Sequence, residues 1–457
     1  MTVHIDNYKG KHLHFIGIGG CSMNGLARIL HSRGYQVSGS DRIESNFTCF
    51  VRSKGIPVSI GHNEKNVEGV DLIIYSAAIK PDNIERRRAE ELGIPQLERS
   101  ELLGQLSDQF SQVLGIAGCH GKTTITSMLA LILQKGGQDA TVHVGGETDF
   151  LESGVAIDHS PLFVTEACEY VESFLHLSPT MIVLNNIDDD HLDYFKNIDA
   201  IYASFQKFVA LLPPKGVLFG CTDDPLVNRL MDDCPCELVR YGLNSQSGYS
   251  AADIIYDEQG YPEFTCTLNG RPLFSVKLNV PGLYNIQNAL AAISVARYLG
   301  IEDKHIQQAL EQYRLAKRRF ELYGTVDGVR IYHDYAHHPS EITACLHAAA
   351  QMQHRKLWVV FQCNSYSRAI TLFDKYAEAF HDADAVLIPD IYPGREQDTG
   401  LIHAKDLVRG IISSCADTLY IPTFEGIRDY LSPRWQAGDI VVALGSGDVY
   451  IQARKLL

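Results

Sequence analysis

Hydrophobic side chains make up 45% of the 457 residues and charged ones 21%, a length and composition that suit two to four domains with buried cores. The formal net charge is −15, from 40 lysines and arginines against 55 aspartates and glutamates. This excludes a general nucleic-acid binder, whose affinity rests on cations at phosphates, and otherwise serves solubility. No run of about 18 apolar residues is present to span a membrane, and the opening MTVHIDNYKGKH is too polar for a signal peptide.

The first hundred residues alternate strand and helix. HLHFIGI (12–18) is rich in strand formers, and SMNGLARILHSRG (22–34) repeats its apolar residues at helical spacing up to a glycine. YQVSGSD (35–41) is a second strand ending in a carboxylate, and VDLIIYSAAI (70–79) a third, buried one. This order predicts a doubly wound, dinucleotide-type domain, left by a helical connection at about 97–108. SQVLGIAG (111–118) is a strand entering a glycine loop, and TTITSMLALILQKGG (123–137) a helix with a glycine stop. LFVTEA (162–167) and TMIVLNNI (180–187) are further buried strands. Residues 244–280 change to short alternating segments with NG and DEQG turns, an antiparallel patch, and 281–300 is a loop followed by a long helix. From about 319 the apolar strands VRIYHDYA, KLWVVFQ, DAVLIPD and DIVVALG alternate with helical stretches. The expected fold class is α/β in three domains. Residues 1–108 are Rossmann-like, 109–317 a central phosphate-loop ATPase type with the antiparallel patch, and 318–457 Rossmann-like again. Eleven cysteines without a regular framework predict reduced thiols and a cytoplasmic protein, and Cys234-Pro-Cys236 is a loop rather than a zinc site.

Two glycine loops follow strands. In the first, Gly17 and Gly19 fit a dinucleotide fingerprint, but Ser22 stands where the third glycine belongs. Asp41, at the end of the second strand, is placed to accept a ribose hydroxyl, and a helix N-terminus offers N–H groups to a pyrophosphate. A nucleotide diphosphate other than NAD, of the UDP type, fits that pattern. The second loop, GCHGKTT (118–124), has the short form G-x-x-G-K-T-T. The backbone N–H groups of 118–123 are expected to cradle the phosphates of ATP, with Lys122 neutralising their charge and Thr123 reaching Mg2+. TEACEY (165–170) and NNIDDDHLDYF (185–195) place Glu166 and His191 at the ends of successive strands, which in a parallel sheet meet at one edge, where they could share a divalent ion. LAKRRFE (315–321) sets Arg319 at a domain boundary, and HDYAHHPSEI (333–342) ends a strand with Asp334, Tyr335, His337 and His338. Arg368 and Arg395 follow later strands and could grip a carboxylate in bidentate fashion.

These motifs, with SAAI at 76–79, PGLYNIQNALAA, KRRFE and YPGREQDTG, resemble the Mur ligase family in its alanine-adding branch nearly end to end. The resemblance implies an ATP-dependent amide-forming enzyme of peptidoglycan synthesis that joins L-alanine to UDP-N-acetylmuramate through an acyl phosphate. It implies that Gly17, Gly19, Gly20, Ser22, Asp41 and Ser76 bind the UDP-substrate. Gly118, Gly121, Lys122, Thr123 and Thr124 bind ATP, joined by Asn288, Arg319 and Asp334 as the third domain closes. Thr123, Glu166 and His191 hold Mg2+, and Tyr335, His337, Asn364, Arg368 and Arg395 form the amino-acid pocket. Lys122, Glu166, His191, Arg319 and His337 are the expected catalytic set. No nucleic-acid or membrane partner is expected, and the chain is taken as a monomer or weak homodimer.

The chain departs from the family pattern at Cys168, Tyr284, His333, Cys363 and Asn364. The Asn364 change leaves serine or glycine open as the amino acid. Rival readings are a recycling ligase adding a murein tripeptide, a dehydrogenase built on residues 1–110, and a nucleotide switch without a product. The dehydrogenase leaves Lys122, Glu166 and His191 without a role.

Overall fold

A computed structural model describes residues 3–244, 248–394 and 396–457. The chain folds into two compact units. Met1–Asp189, Asn197–Ser250 and Ala289–Ala309 form the first; Asp190–Lys196, Ala251–Asn288 and Leu310–Leu457 form the second.

The first unit opens with a five-stranded parallel sheet made of β1 (His12–Ile16), β2 (Gln36–Asp41), β3 (Val58–Ile60), β4 (Leu72–Tyr75) and β5 (Gln96–Glu98), in the order β3-β2-β1-β4-β5. Register pairs Ile16 with Ser40 and with Tyr75, so the loops after β1, β2 and β4 leave one edge together. That edge is where a doubly wound sheet binds its ligand. The strand expected at 70–79 stops at Tyr75. The chain turns at Ser76, whose carbonyl accepts the Ile79 N–H at 2.9 Å.

The same unit holds a second sheet. Its strands are β6 (Gln112–Ala117), β7 (Thr141–His143), β8 (Val155–Ala156), β9 (Leu162–Glu166), β10 (Met181–Leu184), β11 (Val217–Cys221) and β12 (Glu237–Tyr241), with β13 (Tyr249–Tyr256) entering it. The order is β13-β12-β11-β10-β6-β9-β7-β8. β6 is central and buried from Val113 to Ala117, as a parallel strand covered on both faces should be. Register sets Ala117 beside Leu184 and Ile116 beside Glu166, so the glycine loop, Glu166 and the stretch from Asn185 leave from one edge. β12 and β13 pair in parallel through Tyr241 and Tyr249, at the edge of the stretch 244–280 expected to be antiparallel. Cys234 and Cys236 form a disulfide, contrary to the expected reduced pair, and the other nine cysteines are free thiols.

In the second unit β14 (Pro262–Leu268) and β15 (Arg271–Lys277) form the antiparallel hairpin expected from the NG signal. Asn269 and Gly270 turn it with φ of 52° and 74°, the left-handed pair such a tight turn needs. Six more strands make its sheet: β16 (Glu321–Val326), β17 (Val329–Asp334), β18 (Leu357–Phe361), β19 (Ala385–Ile388), β20 (Thr418–Tyr420) and β21 (Ile440–Leu444), ordered β16-β17-β21-β18-β19-β20. Only β16 is antiparallel to its neighbour. β21, last in chain order, lies between β17 and β18. Alternate residues feed two cores. Val359, Phe361, Val442 and Leu444 join one apolar cluster, and Trp358, Val360, Val441 and Ala443 the other. Among the described residues no helix is long and apolar enough to cross a membrane.

Candidate functional site

The first glycine loop folds over the end of β2. The N–H groups of Gly17 and Ile18 both donate to the Ser40 carbonyl, at 2.8 and 3.0 Å. Gly20 caps the helix Cys21–Ser32 without a side-chain hydrogen bond, which leaves the first-turn N–H groups for an anion. Asp41 braces this loop, its Oδ2 accepting the Gly19 N–H at 2.9 Å. Ser22 lies in the first turn. Its Oγ accepts from Arg99 Nη1 at 3.4 Å, so a cation unmarked by the sequence pattern stands beside the loop. The helix is fastened to the second sheet of the unit. His143 Nε2 meets the Ser22 carbonyl at 3.3 Å, and its Nδ1 meets Thr165 Oγ1 at 3.2 Å, next to Glu166. Burial pushes His143 down to about 4, so the ring is neutral at pH 7.

The second glycine loop follows β6. Gly121 takes φ 87°, a left-handed value open to glycine at little steric expense, and caps the helix Lys122–Lys135. Not all of the expected phosphate cradle faces outward. The N–H groups of Cys119 and His120 donate to Asn186, to its carbonyl and its Oδ1. The N–H groups of Lys122, Thr123 and Thr124 remain at the helix start, where no intrahelical acceptor exists. His120 Nε2 also meets Asp188 Oδ2 at 3.0 Å, so the NNIDD stretch holds the loop from its neighbouring strand. Lys122 Nζ lies 2.8 Å from Glu169 Oε2 and donates to the Gly118 carbonyl at 2.5 Å. Burial alone would lower this ammonium, but the Glu169 carboxylate outweighs it and holds Lys122 above its usual value. Thr123 is half-buried, Thr124 buried. Glu166 Oε1 accepts the Gly145 N–H at 2.6 Å, and a side chain at position 145 would put its Cβ 2.9 Å from Glu166 Oε2. The space there is kept clear by a glycine. Thr123 and Glu166 offer a hydroxyl and a carboxylate, oxygen donors of the kind Mg2+ takes.

Strand ends also gather the polar groups of the second unit. Asp334, at the end of β17, accepts the N–H groups of Phe320 and Ala336 at 2.7 and 2.6 Å. Burial pushes its carboxyl up to about 6 against the pull of Arg319. Arg319 Nη1 lies 3.5 Å from Glu341 Oε1, with the guanidinium 5.4 Å from the centre of the Tyr335 ring. Burial opposes its charge, but Glu341 and Asp334 hold it above its usual value. His337 is lowered by burial, against the pull of Glu341. Its Nδ1 meets the Tyr335 carbonyl at 3.0 Å; with the proton assigned there, Nε2 keeps its lone pair. His338 caps the helix Pro339–Ala350, its Nδ1 accepting the Ser340 N–H at 3.4 Å. Arg368 Nη2 lies 3.7 Å from Asp190 Oδ1, and His191 Nε2 lies 3.8 Å from Asp190 Oδ2. Asn364 donates to Ser446 Oγ at 2.6 Å. Asn288 is buried and donates to Asn285. Arg395 lies outside the described residues.

Arg319, Asp334, Tyr335 and His337 therefore gather around Glu341, a residue the sequence reading passed over. Its signal was present. A glutamate three residues after a helix-capping position is capping-box spacing, and Glu341 accepts the His337 and His338 N–H groups. Glu169 had no such signal, since no periodicity marks the stretch after β9.

Family models for three consecutive parts of one enzyme family match this chain. The Mur ligase family catalytic domain matches residues 12–111, the Mur ligase middle domain 116–296, and the Mur ligase glutamate ligase domain 318–447. A UDP-N-acetylmuramate–L-alanine ligase of Acetivibrio thermocellus is 44% identical over 98% of this chain and 95% of its own length. Among solved structures, a UDP-N-acetylmuramate-alanine ligase from Thermotoga maritima aligns with a TM-score of 0.80 at 27% identity, over 98% of both chains. A murein peptide ligase from Psychrobacter arcticus aligns with a TM-score of 0.70 at 25% identity, also over 98% of both.

Proposed function

The chain belongs to the Mur ligase family, and on that premise we propose that it joins L-alanine to the carboxylate of UDP-N-acetylmuramate, with ATP cleaved to ADP and phosphate, in peptidoglycan precursor synthesis. The observation that carries this reading is 44% identity along nearly the whole chain to a ligase named for that reaction. The two glycine loops then serve two nucleotides. Residues 1–108 take the UDP end at the edge where Gly17, Gly19, Gly20, Ser22, Asp41 and Ser76 meet. Residues 109–317 take ATP at Lys122, and 318–457 take the amino acid. A cytoplasmic location would supply both nucleotides, ATP and the UDP-linked sugar, to the same enzyme.

In this reaction the muramate carboxylate attacks the γ-phosphoryl group, giving an acyl phosphate and ADP. The alanine amine then attacks the acyl carbon, and phosphate leaves. The protein supplies position and charge. Lys122 and the N–H groups that start its helix neutralise the phosphates, and Arg319 adds a second cation. Thr123, Glu166 and His191 would hold Mg2+, which offsets phosphate charge when bound. His337, uncharged with a lone pair on Nε2, suits accepting a proton from the attacking amine. Asn364 supports a second reading for the amino acid alone. Its amide is tied to Ser446, which gives that pocket a hydrogen-bonding wall that serine could use.

Phosphate release, measured with ATP, Mg2+ and UDP-N-acetylmuramate across L-alanine, L-serine, glycine and the murein tripeptide, tests this. Release requiring both the UDP-sugar and alanine is expected. Release with another amine only would overturn the substrate, and release indifferent to the UDP-sugar would overturn the function.

A further inference from the structure

The ammonium of Lys122 is fully engaged. Nζ donates to the Gly118 carbonyl at 2.5 Å and the Cys119 carbonyl at 3.1 Å, and it lies 3.1 and 2.8 Å from the two oxygens of Glu169. An ammonium has three N–H groups, so these four acceptors saturate it. A phosphate oxygen reaches Lys122 only by displacing one of them. Two belong to the loop itself, and losing them would loosen the turn that presents the helix N-terminus. The other two belong to a carboxylate that is 1% exposed and carried by a different segment, just beyond β9. Glu169 thus holds the lysine with the kind of charge a phosphate would bring.

We propose that Glu169 is the resting counter-ion of Lys122, a competitor for the nucleotide's phosphates that yields only when a divalent cation arrives with them. The proposal rests on the reading of this loop as the ATP site. Metal-free ATP must break the Lys122–Glu169 pair and then sit beside a buried negative charge in a medium that screens it poorly. A divalent cation offsets charge on the phosphates and the carboxylate alike, which removes that repulsion. The pair therefore biases the site against nucleotide without metal, which could bind but not react.

Calorimetric titration of the full chain with ATP, once in excess chelator and once with Mg2+, reads this directly. Wild type is expected to bind ATP much more weakly in chelator than with Mg2+. Glu169→Gln, which keeps the shape and removes the charge, is expected to bind metal-free ATP about tenfold more tightly than wild type, and to change less with Mg2+. Chelator affinity that is unchanged or weaker in Glu169→Gln would overturn the proposal. Affinity lost only with Mg2+ would also overturn it, by making Glu169 a cation ligand. Should Glu169→Gln not fold, Glu169→Ala decides, since it too removes the charge. Metal-free ATP binding no tighter than wild type in that variant would overturn the proposal. Wild type that binds no ATP even with Mg2+ would instead sink the reading of the loop.

Discussion

Removing the Lys122 side chain does two things. It takes the cation from the phosphate loop, and it strips a carboxylate that is 1% exposed of the charge it was folded against. Breaking a buried pair from one side costs about 3–5 kcal/mol. Lys122→Ala is therefore expected to lose ligation and to melt well below wild type. The double variant Lys122→Ala with Glu169→Gln should regain most of the melting temperature and none of the activity. Thermal denaturation beside the phosphate-release assay separates the two effects, and a single variant as stable as wild type would contradict the pairing. At this scale the sequence showed the chemistry and hid the partners. Lys122, Asp334 and His337 stood out by residue type at strand ends. Glu169, Asp188 and Glu341 did not, because an acid's partner is set by how strands lie beside one another, which a linear pattern does not contain.

Between elements, the seam between the helix Cys21–Ser32 and the strands β7 and β8 governs how the first glycine loop is held. Gly25 is buried in that helix, and a Cβ there would fall 2.6 Å from Val155 Cγ2 and 2.8 Å from His143 Cδ2. Both contacts are far inside van der Waals distance, and neither neighbour is a flexible chain end. Gly25→Ala should push the helix off the seam at a stability loss of about 1–3 kcal/mol. Because His143 ties the Ser22 carbonyl to Thr165, KM for the UDP-sugar should rise several-fold while the affinity for ATP changes little. Equal losses for both substrates would remove the seam's role. Strands and long helices were readable here from hydrophobic period and glycine stops. The early stop of β4 and the short strands β3, β5 and β8 were not. Two or three residues carry too little period to register.

Across the whole molecule, buried histidines set the response to acid. Burial pushes His14, His143 and His333 from 6.5 down to about 4, with Glu85 opposing the shift at His14. Between those limits the unfolded chain binds protons that the folded one refuses. Stability is therefore present above about 6.5 and is lost as pH falls toward 4, by about 1.4 kcal/mol per pH unit for each ring. Asp334 acts oppositely, since burial raises its carboxyl from 3.8 to about 6 and favours the folded state at lower pH within that range. His337, also lowered by burial, acts in the same direction as the three rings, so four groups against one predict a melting temperature that falls between pH 6.5 and 4.5, with a shallower slope in a His143→Gln variant. A flat profile in calorimetry would refute this. The sheet of the second unit imposes a further order, one of biosynthesis. β21 fills the gap between β17 and β18 and is buried at all five residues from Ile440 to Leu444. Until it emerges from the ribosome, two central strands present bare hydrogen-bonding edges flanked by apolar side chains. A chain cut short before Ile440 keeps every residue proposed above to bind ATP, the UDP-sugar, Mg2+ or the amino acid, yet its sheet cannot close. Nonsense products of this kind should therefore be drawn to chaperones and proteases as insoluble intermediates, rather than persisting as impaired enzymes.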